Sequence, residues 1–100
     1  MTDLKALRDR VVAGTATTML FEDAFGDNCA WTELAYFGSL DAALRLHEAL
    51  LPNTTWAAGS LGEASIFAKG GKMISTGFAP GNPARALLLA ILDALIGEKE

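Results

Sequence analysis

The run from Asn82 to Gly97 constrains the fold more than any other part of the chain. Asn82 suits a helix cap, Pro83 the first helical position, and Gly97 follows the last periodic residue. Between Ala84 and Ile96 only Arg85 and Asp93 are polar. Projected at 100° per residue, Asn82, Arg85, Leu89 and Asp93 fall on one narrow stripe, and nearly every other direction is apolar. Such a helix must be wrapped on several sides. In a chain of 100 residues, the size of a single core, part of that wrapping is expected from a second copy, a homodimer through Ala84–Ile96.

The remaining elements follow from periodicity and caps. Leu4, Leu7 and Val11 share a helical face, with Thr2 as the expected cap and Gly14 as the stop after Ala13. Thr15 to Phe25 opens with threonines that fit either a strand or a cap, and reads better as a short helix closed by Gly26. Asp27 to Tyr36 is expected to be a loop or short strand, with Trp31, Tyr36 and Phe37 available for packing. Ser39 caps a helix over Leu40–Leu51, closed by Pro52 and Asn53. Leu40, Ala43, Leu44, His47, Leu50 and Leu51 are expected on its buried face, and Asp41, Arg45 and Glu48 on the other, with Asp41 and Arg45 paired at i,i+4.

Three short strands, 54–59, 64–69 and 72–78, then form an antiparallel meander. Gly70-Gly71 is expected to be a two-residue turn, because both glycines can take positive φ. That turn sets Phe67 opposite Ile74 and Ser65 opposite Thr76 on one face, covered only in its middle. Ala64, Ile66, Ala68, Met73 and Ser75 fall on the other, a small apolar face suited to close helix packing. The class is α+β: a small three-layer α/β/α sandwich in one domain over residues 1–100, with a three-stranded antiparallel meander and three to four helices.

Composition narrows the function classes. With 51% hydrophobic residues the chain is not a disordered one, and 8 Lys+Arg against 12 Asp+Glu, a net charge of −4, argues against nucleic acid as a partner. A single cysteine excludes an internal disulfide framework and a Cys-rich zinc site. The start, Met1-Thr2-Asp3-Leu4-Lys5, does not read as a secretory signal, and no apolar run approaches the roughly 20 residues that span a bilayer. Asn53-Thr54-Thr55 then reads as a turn rather than a glycosylation site. These features lead to the expectation of a cytoplasmic protein with no membrane partner.

The run Tyr36-Phe37-Gly38-Ser39-Leu40-Asp41-Ala42-Ala43-Leu44, followed by Leu50-Leu51-Pro52 and Trp56, resembles the phage ABA sandwich proteins, a family of small phage and prophage proteins. Leu4 to Val11 is similar to the family's start, and Ala79-Pro80-Gly81-Asn82-Pro83-Ala84-Arg85-Ala86 to its closing Pro-Ala-rich helix. Asn82-Pro83 replaces the commoner Thr-Pro cap, and Thr15 to Phe25 lacks the family's charged, helix-favouring residues. The resemblance implies a helix–sheet–helix sandwich in a bacterial host cell. It carries no catalytic residues and no activity.

No constellation of reactive side chains rises above its ordinary structural explanation. His47, the only histidine, could act as a base or ligand, but it lies in the apolar stripe of its helix with no second histidine to converge on. Cys29 with His47 is a thiolate–imidazole pair only by inventory. Glu22, Asp23, Asp27 and Glu33 lack the alternating spacing of a calcium loop. Gly59-Ser60-Leu61-Gly62 and Gly70-Gly71-Lys72 precede strands, not helices, so neither is a phosphate loop, and neither Ser39 nor Ser60 sits in a nucleophile elbow. Lys69 and Lys72 are too few for a nucleic-acid edge and fit guards of an exposed hairpin. The sequence therefore assigns no catalytic, cofactor-binding or metal residues. The expectation is a non-enzymatic phage- or prophage-type accessory protein that binds another protein, with a host defence or replication factor as the partner class its origin suggests. The alternatives are a homo-oligomeric structural or assembly protein of a phage particle, and a small enzyme using His47.

Overall fold

The computed structural model describes residues 3–59 and 61–99. Among these residues, five α-helices and three strands follow in the order α1 (Leu4–Ala13), α2 (Thr18–Phe25), α3 (Cys29–Tyr36), α4 (Leu40–Leu50), β1 (Thr55–Ala58), β2 (Glu63–Phe67), β3 (Met73–Phe78) and α5 (Pro83–Lys99). The chain is α+β, and its sheet is an antiparallel meander in the order β1-β2-β3. No helix among the described residues is long and apolar enough to cross a membrane.

Local chemistry explains most of the boundaries. Asp3 caps α1 by accepting from the Lys5 N–H, and Gly14 ends it in the left-handed region; the expected cap, Thr2, lies outside the described residues. Ser39 Oγ accepts from the Ala42 N–H at the start of α4, and Asn82 Oδ1 from the Arg85 N–H at the start of α5. Thr15 to Phe25 resolves as a helix over its last eight residues, ended by Gly26 at φ 53°. Asp27 to Tyr36 is not a loop or strand. A single 3-10 turn (Gly26–Asn28) leads into α3, which buries Thr32, Ala35 and Tyr36 at helical spacing. The Thr32 hydroxyl donates to the Asn28 carbonyl 2.9 Å away, so its burial leaves no polar group unpaired. Gly97 does not stop α5, which continues to Lys99.

The three layers stack as sheet, then α5, then a helical layer of α1, α3 and α4, so the middle layer is a helix. This position accounts for the apolar excess of α5. Every residue from Ala86 to Leu92 is buried within one chain, against the sheet on one side and against α1, α3 and α4 on the other. The apolar surface from Ala84 to Ile96 that suggested a homodimer through this helix is thus consumed internally. Its two polar residues also find partners on the helical layer. Arg85 Nε donates to the Tyr36 carbonyl at 3.0 Å, with its guanidinium 4.3 Å above the Tyr36 ring, and Asp93 pairs with Arg8 at 2.9 Å.

In α4 the buried residues are Ala42, Ala43, Leu46 and His47, so the inward face is turned toward Leu46 from the stripe read in the sequence, and Leu40, Leu44 and Leu50 pack at its margin. Asp41 and Arg45 pair at 3.4 Å on the exposed side.

The β2–β3 hairpin differs from a two-residue turn. Gly70 and Gly71 both have positive φ, yet the loop is three residues long: the Ala68 N–H donates to Lys72, and the Gly71 N–H to Ala68. The longer loop places Met73, not Ile74, opposite Phe67. A bulge at Ile74 then restores the pairing, so Ile66 faces Ser75 and Ser65 faces Thr76. Ala64, Ile66, Ser75 and Gly77 are therefore buried against α5. The Ser75 hydroxyl donates to the Ala90 carbonyl at 2.7 Å, and the helix backbone closes on Gly77, where no Cβ intervenes.

Candidate functional site

Two places on this scaffold are built from residues that the core does not explain. The first is an open groove of about 490 Å³ between the end of α4 and β1, lined by Leu44, His47, Glu48, Pro52, Thr54, Thr55 and Trp56. His47 reaches it from the last turn of α4, and its Nε2 lies 2.8 Å from Thr54 Oγ1. The Thr54 hydroxyl donates to the Leu51 carbonyl at 2.8 Å, so its oxygen remains to accept from Nε2–H. This assigns the neutral tautomer with the proton on Nε2. Burial lowers the imidazole pKa from its ordinary value, and the neighbouring Glu48 carboxylate only partly opposes that.

The histidine therefore joins the end of α4 to the segment entering β1 and has its donor committed. Because its folded pKa lies below the unfolded value of about 6.5, the two states are equally neutral above that pH. As pH falls below it, the unfolded chain binds the proton first, so stability declines until the folded pKa is passed. Urea midpoints measured from pH 7.5 to 5.5, about two units, are expected to fall in the wild-type protein and to stay flat in His47→Gln. A wild-type midpoint that rises on acidification would contradict this assignment.

Cys29, half-buried at the start of α3, does not line the groove, so the Cys29–His47 pair is not assembled there. Of the acidic residues Glu22, Asp23, Asp27 and Glu33, Glu33 accepts from the Thr18 hydroxyl at 2.9 Å, and no group of three potential metal ligands occurs among the described residues. Gly59 and Gly62 belong to the β1–β2 turn, with Ser60 outside the described residues; Gly70 and Gly71 belong to the β2–β3 hairpin. Ser39 is engaged as the α4 cap.

The second place is the face of the sheet turned away from α5. Strand alternation puts Thr55 and Ala57 of β1, Glu63, Ser65 and Phe67 of β2, and Ile74, Thr76 and Phe78 of β3 on it. Met73, paired with Phe67 beside the bulge, joins them. Met73 is 57% exposed, Ile74 46% and Phe78 55%. Met73, expected with Ala64 and Ile66 on the helix side, is moved to the open side by the three-residue loop and the bulge. Lys69 and Lys72 stand exposed at the hairpin end, and the Glu63 carboxylate lies over Gly59 at the other. None of these three charges has an ion-pair partner among the described residues.

No family model, no curated protein and no solved structure matches this chain.

Proposed function

We propose that this chain is a non-enzymatic accessory protein of phage or prophage type, acting by protein–protein binding through the open sheet face. The observation that carries the reading is the exposure of Met73, Ile74 and Phe78 together on one side of a sheet whose other side is closed by α5. A folded chain leaves a contiguous apolar surface open where a partner covers it. The phage or prophage origin is supported by the sequence resemblance through residues 36–44, 50–52 and 56 and the closing helix. His47, by contrast, has its donor committed to Thr54 and serves the fold.

A photo-crosslinking side chain placed at Thr76, in the middle of the open face, is the direct test, with Val12 on the exposed side of α1 as the control site. In a bacterial lysate, crosslinking to a protein chain is expected from position 76, not from position 12, and is expected to disappear in Ile74→Lys. Crosslinking that is equal at both sites, or absent at position 76, would overturn the reading.

A further inference from the structure

We infer that the groove between α4 and β1 takes an extended peptide segment with a basic side chain, which pairs with β1 as a fourth strand of the sheet. This site lies at the sheet edge, apart from the open face, so either surface stands or falls without the other.

The backbone of β1 specifies a strand as the occupant. The Gly59 N–H donates to the Glu63 carbonyl at 2.8 Å, which makes Gly59 and Glu63 a hydrogen-bonded pair. In the regular register of the two strands, Ala57–Ser65 and Thr55–Phe67 are the other such pairs. The N–H and C=O groups of Thr54, Trp56 and Ala58 therefore point away from β2. The chain itself fills the first of these positions, since the Thr54 N–H donates to the Leu51 carbonyl at 3.2 Å. The next two, at Trp56 and Ala58, have no partner among the described residues.

The bond to Leu51 also puts the end of α4 on the same side of β1 as these open groups. There lies the groove of about 490 Å³, between Leu44, His47 and Glu48 of α4 and Thr55 and Trp56 of β1. A segment laid in it has the β1 backbone on one flank and α4 side chains on the other. β1 also lacks the features that keep strands from adding: Thr55–Ala58 holds no charge, no proline and no bulge. The opposite edge, β3, has a bulge and a lysine just before its start.

Charge sets the chemistry of the segment. Among the described residues lining the groove, Glu48 is the one acid, and it is exposed without an ion-pair partner. At the far end of β1, the Glu63 side chain lies over Gly59. Two carboxylates thus flank a four-residue edge in a chain of net charge −4. A Lys or Arg side chain seated between the Glu48 carboxylate and the Trp56 indole gains from both, and an acidic segment is repelled.

Selection of random peptides about ten residues long on the immobilised full chain is the test. Enriched peptides are expected to carry Lys or Arg and to lack Pro at their centre. In Trp31→Phe, which leaves Trp56 as the single tryptophan, a synthetic copy of the most enriched peptide is expected to shift the emission. Its Kd is expected on the order of 100 µM, since two β1 residues and one cationic anchor carry the binding. Amide exchange is expected to slow at Trp56 and Ala58 and to stay unchanged at Ile74 and Thr76. Ala58→Pro removes an outward N–H without touching a β1–β2 bond, and Glu48→Lys reverses the charge of the groove. Each is expected to weaken binding at least about tenfold with unchanged circular dichroism.

A selection that yields no binder overturns the inference. A peptide that slows exchange at Ile74 and Thr76 instead, or leaves Trp56 and Ala58 unprotected, overturns it too, because it pairs elsewhere or not as a strand. Binding indifferent to Glu48→Lys and to glutamate in place of the peptide's basic residue overturns the choice of a basic partner.

Discussion

Gly77→Ala is expected to remove at least about 3 kcal/mol of folding stability, and Gly77→Val to abolish cooperative unfolding altogether. A Cβ at this position would stand 2.1 Å from the Ala86 carbonyl oxygen, 2.5 Å from the Ala90 nitrogen and 2.8 Å from Leu89 Cβ. Two of those three atoms are helix backbone, so no rotamer change relieves the clash. β3 or α5 must move, and α5 is the layer on which the sheet and the helical layer both rest. Small domains have only about 5–15 kcal/mol in total, so a forced separation of these two elements consumes much of it. Urea denaturation followed by circular dichroism measures the loss. A Gly77→Ala midpoint close to that of the wild type would show that sheet and helix separate freely, contrary to the packing described.

Phe21→Ala is expected to detach α2 while leaving the rest of the molecule folded. Phe21 is the one fully buried residue of that eight-residue helix, with its ring centroid 5.5 Å from that of Tyr36. Deleting a buried phenylalanine costs about 3–5 kcal/mol where the surroundings stay in place. A helix this short has little stability of its own, and α2 is held mainly by α3 and the 3-10 turn, so releasing it limits the global cost. Hydrogen exchange separates the two outcomes. Amides of residues 18–25 are expected to lose their protection, while those of α5 retain most of theirs. Persistent protection over 18–25 would show that Leu20, Ala24 and Phe25, all half-buried, suffice to hold the helix.

The elements legible in the sequence are those whose ends carry their own chemistry. Asn82-Pro83, Ser39 and Gly14 each fix a boundary through a cap formed within a few residues, and the positive φ of Gly70 and Gly71 marks the hairpin. α3 lacked such marks: it has no side-chain cap, and its buried stripe is built on Thr32 and Ala35 rather than on large aliphatic residues. The tilt of α4 toward Leu46 was illegible because Leu44 and Leu46 are equally apolar, and which one turns inward is decided by the neighbouring helices. Likewise, nothing local says that α5 is enclosed by its own chain. The open sheet face was half visible: its apolar residues were in view, but Met73 fell on the wrong side of it. That assignment depends on hydrogen bonds between Ala68 and Lys72, which composition does not encode.

The hairpin carries two departures from regular pairing that cancel. The three-residue loop shifts β3 by one residue relative to β2, and the extra residue at Ile74 shifts it back. Because side chains alternate, either departure alone would invert β3, sending Ser75 and Gly77 to solvent and Thr76 and Phe78 toward α5. The two behave like compensating frameshifts. Loop length and strand length in this hairpin can drift only together, and the same parity that lets the helix close on Gly77 decides which side chains the molecule shows to the outside.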